Sequence, residues 1–219
     1  MILDVHPDTI APIPVQLKGN EMQEVISLNC PNCGASVDTL QKKCRYCKSP
    51  IVISSFNSVY SMPIPLVNKY ANTYKNALTV SPDNSEIQSS IAMCFLKLKL
   101  YDKAIENFDK AIIDNIDNSE LFFYLAVALL RGQKAFMTPI DDIKRALELV
   151  NAAIMIEPRG VYYYFSAYIK YDYYERKFLN ISPNYLDDFQ TARDSNVSFA
   201  DAQTLFELLG KPVPETLQL

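Results

Sequence analysis

Four of the five cysteines in this 219-residue chain stand in two Cys-x-x-Cys pairs, Cys30/Cys33 and Cys44/Cys47, with ten residues between the pairs. Two residues between thiols let the backbone turn so that both sulfurs reach one ion at about 2.3 Å, and two such turns close a tetrahedron. One zinc ion suits this donor set. Four thiolates leave no open coordination position, so the expected role is structural rather than catalytic. A redox role for one pair would leave the other unexplained. Cys94 falls inside a predicted helix and reads as a small buried apolar residue. His6 is the only histidine and reads as a solvated residue beside an already complete tetrad.

The elements that must position these thiols are short. Val25 to Leu28 and Ile51 to Ile53 are β-prone flanks. Gly34 follows the first pair, where crowding of the backbone near the metal favours a residue without Cβ. On these residues the stretch 25–55 resembles a zinc ribbon. Lys42, Lys43, Arg45 and Lys48 surround the second pair, and Tyr46 can stack on a base, so this end of the ribbon is a candidate nucleic-acid contact. Against that stands the dianionic charge of a zinc ion with four thiolates, which nearby cations neutralise.

The rest of the chain is helical and repetitive. One pattern carries Ile91, Ala92 and Phe95, then Ala104, Phe108 and Ala111; the next carries Leu125, Ala126 and Leu129, then Ala146, Val150 and Ala153. Ala92 and Ala126 are 34 residues apart, as are Ile91 and Leu125. A fixed period of this length means stacked helix pairs rather than one closed core. The apolar–small pair, the aromatic and the Ala104–Phe108–Ala111 series resemble the tetratricopeptide repeat (TPR). Gln88 and Ile116 depart from that pattern, which has an aromatic and a proline there.

The expected fold is mainly α, a TPR-like α-solenoid of antiparallel helix pairs preceded by a small β zinc ribbon. The expected layout is an irregular arm over 1–24, the ribbon over 25–55, a linker over 56–65 and the helical array over 66–210. Within the array lie a half repeat at 66–84, repeats at 85–118, 119–160 and 161–197, and a capping helix at 198–210. The half repeat lacks its first helix, a bare face that the ribbon or its linker is placed to cover. Thr138 and Ser182 read as helix caps, and the extra residues between the helices of the second repeat read as a tolerated loop.

TPR stacks form a concave groove lined by the first helix of each pair. The resemblance assigns partner contacts to Glu86, Ser89, Met93 and Lys97, then Glu120, Phe123, Val127 and Arg131, then Tyr162, Phe165, Ile169 and Tyr173. Ser90 and Tyr124 stand where the family's carboxylate-clamping members have asparagine, which argues against such a clamp. The groove reads as apolar and aromatic, suited to an amphipathic helix or an extended apolar peptide. Terminal helices or a second copy of the chain are its alternative occupants, so a homo-oligomer stays open.

Composition narrows the class of function. A net charge of −4 and a pI near 5.1 argue against coating nucleic acid by bulk charge. The N-terminus has no secretory pattern and no apolar run is long enough to span a bilayer, so a cytoplasmic protein without membrane contact is expected. No glycine-rich phosphate loop or nucleophile–base set points to an enzyme. The leading expectation is a non-enzymatic protein-interaction adaptor; the alternative is a nucleic-acid-associated regulator that touches RNA or DNA through the ribbon.

Overall fold

The computed structural model describes residues 27–219. The expected arm, with His6, and the start of the ribbon at Val25 lie outside the described residues. Strands β1 (Ser27–Asn29) and β2 (Ser36–Asp38) pair antiparallel, Leu28 opposite Val37. These two side chains, with Cys30, Cys44 and Ile51, make a small core of their own. Everything after it is helical.

Helix α1 (Phe56–Tyr60) is followed by α2 (Ile64–Val80), α3 (Ser85–Lys97), α4 (Tyr101–Asp114), α5 (Ser119–Leu129), α6 (Ile140–Ile156), α7 (Gly160–Ile169), α8 (Tyr185–Asp194) and α9 (Phe199–Leu209). The chain is mainly helical, its helices packed in antiparallel pairs. The pairs are α3/α4, α5/α6 and α7/α8, with α2 against α3 at one end and α9 against α7 at the other. Helix α2 buries Val67, Tyr70, Ala71, Tyr74 and Ala77, the spacing of one helical face. Helix α4 does the same with Ala104, Ile105, Phe108 and Ala111. Helix α5 lies inside the stack and buries residues on nearly every side, Leu121, Phe123 and Leu125 to Leu129.

Several local expectations need correction. The stretch expected as a linker contains α1, whose Phe56 and Val59 are fully buried. Thr138 does not cap α6; its hydroxyl donates back to the Lys134 carbonyl and the helix begins after Pro139. Asn184 rather than Ser182 caps α8, because Asp187 three residues on returns the bond and completes a capping box. Ser198 and Asp201 make the same box at α9, and Gly210 ends that helix in the left-handed conformation.

The extra residues of the second repeat are docked rather than loose. They form a 3₁₀ turn (Ala135–Met137), and the Phe136 N–H donates to the Asp172 carboxylate at 2.9 Å. Asp172 sits in a π-helical turn (Lys170–Tyr174) that continues α7. The Arg176 and Lys177 cations lie 4.8 Å from the centre of the Phe136 ring. Of the nine rings between 161 and 178, Tyr162, Tyr164, Phe165, Tyr168 and Tyr173 are buried.

Candidate functional site

The ribbon is built from two knuckles with the same hydrogen-bond pattern. After Cys30-Pro-Asn-Cys33, the Gly34 N–H donates to the Cys30 carbonyl at 2.8 Å and Cys30 N–H donates to Ala35 at 2.7 Å. After Cys44-Arg-Tyr-Cys47, the Lys48 N–H donates to the Cys44 carbonyl at 2.9 Å and Cys44 N–H donates to Ser49 at 2.8 Å. Gly34 has φ +78° and Lys48 φ +63°, so both knuckles close through a left-handed residue. A Cβ on Gly34 would meet nothing within 4 Å. The conformation asks for glycine there, not crowding, which corrects the sequence reading.

The four sulfurs lie within 4.8 Å of one another. Cys30 and Cys47 Sγ are 3.5 Å apart, and Cys33 and Cys44 Sγ are 3.7 Å apart. A tetrahedron with metal–sulfur bonds of about 2.3 Å has edges of about 3.8 Å, so the thiols fit one ion. Backbone N–H groups of Cys33 and Asn32 aim at the Cys30 sulfur, and those of Cys47 and Tyr46 at the Cys44 sulfur. The hydrogen bond from Cys47 N–H holds the Cys44 thiol below its ordinary value and bonds from Ser49 lower Cys47 to about 6, while burial raises Cys30 and Cys33 stands at about 12, so the second pair is the readier to ionise. Thiolates are what a metal takes. Cys94 is separate: it is fully buried in α3, and burial pushes its thiol up to about 12.

Lys42, Lys43, Arg45, Tyr46 and Lys48 all lie on the exposed side of the ribbon, and Tyr46 is 67% exposed. The Arg45 guanidinium stands 5.8 Å from the Tyr46 ring centre. The Lys48 ammonium donates to the Arg45 carbonyl at 3.0 Å and so closes its own knuckle.

The ribbon is fastened to the array by hydroxyl groups. The Tyr70 phenol donates to the Pro50 carbonyl and the Tyr74 phenol to the Ile51 carbonyl, each at 2.8 Å. The Ile53 N–H donates to Ser90 Oγ at 3.0 Å, while that hydroxyl donates to the Glu86 carbonyl of its own helix at 2.8 Å. Sequence reasoning missed these anchors. The signal available was the pair Tyr70 and Tyr74 at helical spacing on a face with no first helix to cover it.

The same trailing segment then crosses α3 and α5, the first helices of two pairs. Phe56 packs on Tyr124 with ring centres 4.6 Å apart, and its N–H points at the Glu120 carboxylate at 3.4 Å. The Tyr60 ring lies under the Lys97 ammonium at 4.4 Å, and its hydroxyl donates to Glu207 of α9. From the other side, Phe206 of α9 packs edge-on against Tyr168 at 4.9 Å. The terminal helices α1 and α9 thus cover parts of α3, α5 and α7.

This changes the standing of the expected partner contacts. Ser89, Met93, Phe123, Val127, Tyr162, Phe165, Ile169 and Tyr173 are all buried within the chain. The reason is size: Phe123 bridges to Tyr162 at 4.7 Å and to Phe165 at 5.7 Å, so aromatic rings join successive first helices directly. Lys97 and Glu120 touch the 53–60 segment, and Arg131 is held by Asp102 at 3.0 Å and Asp142 at 2.7 Å. Glu86 alone of the twelve is exposed. A cleft of about 200 Å³ stays open between Asn57, Tyr124, Arg159, Val197, Asp201 and Leu208.

Helix pairs of this length stacked about a line of first helices define a TPR-like α-solenoid. Comparison with known proteins agrees. The chain is similar to the solved structure described as "Crystal structure of MamA", a TPR-like helical repeat protein, at 17% identity and a TM-score of 0.51, over 67% of this chain and 78% of that one. A second MamA structure, from AMB-1, aligns at 18% identity and a TM-score of 0.47, over 68% and 84%. At such identity the likeness is one of fold. No family model and no curated protein matches the sequence. Among the described residues no helix is long and apolar enough to cross a membrane.

Proposed function

We propose that the protein is a non-enzymatic interaction scaffold, a TPR-like array that binds a protein or peptide partner on its concave side and carries one structural zinc ion in the ribbon. Cys30, Cys33, Cys44 and Cys47 hold the ion, which supplies a cross-link between the two knuckles. Four reduced thiols kept for a metal suit a reducing compartment such as the cytoplasm.

The observation that carries the reading is the array itself: three stacked helix pairs, with a cleft beside their first helices lined by Tyr124, Arg159 and Asp201. An aromatic ring beside both signs of charge suits a peptide surface. The test is cross-linking mass spectrometry on full-length protein purified from its source cells after nuclease treatment. A defined protein cross-linked near Arg159 or Lys97 at near-stoichiometric yield is the expected result, a second copy of the chain counting as such a partner. Absence of any protein cross-linked at that face would overturn it.

A second reading has its own observation. The five basic and aromatic residues around Cys44 and Cys47 remain on the surface, with Arg45 over Tyr46, the arrangement that receives a stacked base. In that reading the ribbon contacts RNA or DNA and the array recruits a partner. Retention on heparin that falls with salt, and that Lys42→Ala/Arg45→Ala removes, would favour it.

A further inference from the structure

The segment after the ribbon differs from the other helices of the described residues. Helix α1 has five residues, too few to be stable by itself, and it has no antiparallel partner of its own. It is held across the first helices of two repeats by their side chains. Ser90 of α3 takes the Ile53 N–H, the Tyr124 ring of α5 takes Phe56, and Lys97 of α3 covers Tyr60. Ile53, Phe56 and Val59 are at most 1% exposed. Phe56 and Val59 lie one helical turn apart on the buried side of α1, and Ile53 is buried in the segment that precedes it, so the segment seats through three side chains at every third position.

We infer that the concave face is a receptor for a short segment reading aliphatic-x-x-aromatic-x-x-aliphatic-aromatic, and that Ile53–Tyr60 is its resident occupant. The inference rests on the scaffold reading and names the chemistry of the partner: a protein segment with an aliphatic residue at the Ile53 place, a phenylalanine-like ring at the Phe56 place and an aliphatic–aromatic pair at the Val59–Tyr60 place. Occupancy is tied to the ribbon. Ile51 N–H donates to the Lys42 carbonyl at 3.1 Å within the second knuckle, and Ile53 stands two residues beyond. A metal that rigidifies the knuckle therefore holds the resident at high effective concentration, and a segment in trans competes only once that hold is weakened.

The probe is a fluorescein-labelled peptide of residues 50–62, followed by anisotropy with full-length protein. Zinc-loaded wild type is expected to bind it at least ~10-fold more weakly than a Phe56→Ala/Val59→Ala variant, since each retained anchor of the resident competes. Chelation of the metal is expected to bring wild type toward the variant. Adding Tyr124→Ala to the variant is expected to abolish binding. Equal binding by wild type and variant, no binding by either, or loss of helical circular dichroism in the double variant would each overturn the inference, because a resident ligand leaves its receptor folded. A hydrogen-exchange measurement gives a second readout: after chelation the amides of 53–62 should exchange well before those of α5. Exchange of both together would also overturn it. If the peptide fails while wild type still cross-links a protein at Arg159 or Lys97, the scaffold reading stands and only this inference falls.

Discussion

The Tyr74 phenol donates to the Ile51 carbonyl at 2.8 Å across a separation of 23 residues, and both groups are buried. The segment leaving the second cysteine knuckle is thereby fixed to the first long helix of the array. Tyr74→Phe leaves a buried carbonyl without its donor and should cost about 1–3 kcal/mol. Tyr70→Phe should cost less, because Pro50 is only half-buried. Urea midpoints of the two variants check the order.

Burial raises the phenols of Tyr70, Tyr74, Tyr124 and Tyr168. Each stays protonated in the folded chain while the unfolded chain ionises near the ordinary value of about 10. Their stabilisation is complete below pH ~10 and is lost progressively as pH rises from there toward the folded-state values. Denaturation midpoints measured from pH 8 to 11 should fall at the alkaline end, and less steeply in Tyr74→Phe.

Purified protein should contain about one zinc per chain, and Cys44→Ser should bind little. Removing the metal should release the ribbon while α5 to α9 keep their helical signal, since those helices form a core separate from the one that holds Cys30 and Cys44. Metal analysis beside far-ultraviolet circular dichroism checks both halves. Folded protein with free thiols and no metal would contradict the zinc assignment.

Three left-handed positions separate two effects. Gly34 has open space for a Cβ, so Gly34→Ala should cost only the conformational term, about 1–2 kcal/mol. At Gly132, φ +67°, a Cβ would also stand 2.5 Å from the Tyr101 hydroxyl oxygen. Gly132→Ala should therefore cost more, and Tyr101→Phe in that background should recover part of the difference. Lys48→Gly relieves the strained lysine and should be neutral or stabilising. Thermal melts of the four variants give the ranking.

Lys170 and Asp188 form an ion pair at 2.6 Å with both side chains largely buried, and the Ser166 hydroxyl donates to the same carboxylate oxygen at 2.5 Å. Asp188→Asn strands the ammonium and should cost roughly 3–5 kcal/mol. Lys170→Met/Asp188→Leu should recover much of that loss, since neither charge then remains buried. Denaturant unfolding of the single and double variants decides it.

Periodic features were legible in the sequence because they repeat a local rule. The 34-residue offset of Ala92 and Ala126 locates α3 and α5, and the two Cys-x-x-Cys turns locate the thiol cluster. Ser198 and Gly210 mark the ends of α9 through bonds made within a single turn. What was missed depends on distant partners. Residues 56–65, with their turn formers and two prolines, look like a linker, and α1 forms there because Phe56 finds Tyr124 and Glu120 more than sixty residues away. The positions that line the groove follow from the repeat, and terminal helices stood among its expected occupants. Whether a line of rings such as Phe123, Tyr162 and Phe165 faces solvent or interlocks depends on which terminal segments fold back, and no repeat rule carries that. The cap at Asn184 was readable from Asp187 three residues later, a pairing overlooked in favour of Ser182.

The contact between Tyr60 and Glu207 joins residues 147 apart. A stack of repeats that touch only their neighbours can fold from any point and fray from either end. With α1 and α9 linked across the face, this stack has no such ends. Its topology adds a long-range closure to otherwise local contacts, and that slows folding and makes unfolding more nearly all-or-none. The Tyr60 hydroxyl is one link in that closure, beside the ring contacts Phe56–Tyr124 and Tyr168–Phe206 that seat the two terminal helices on the stack.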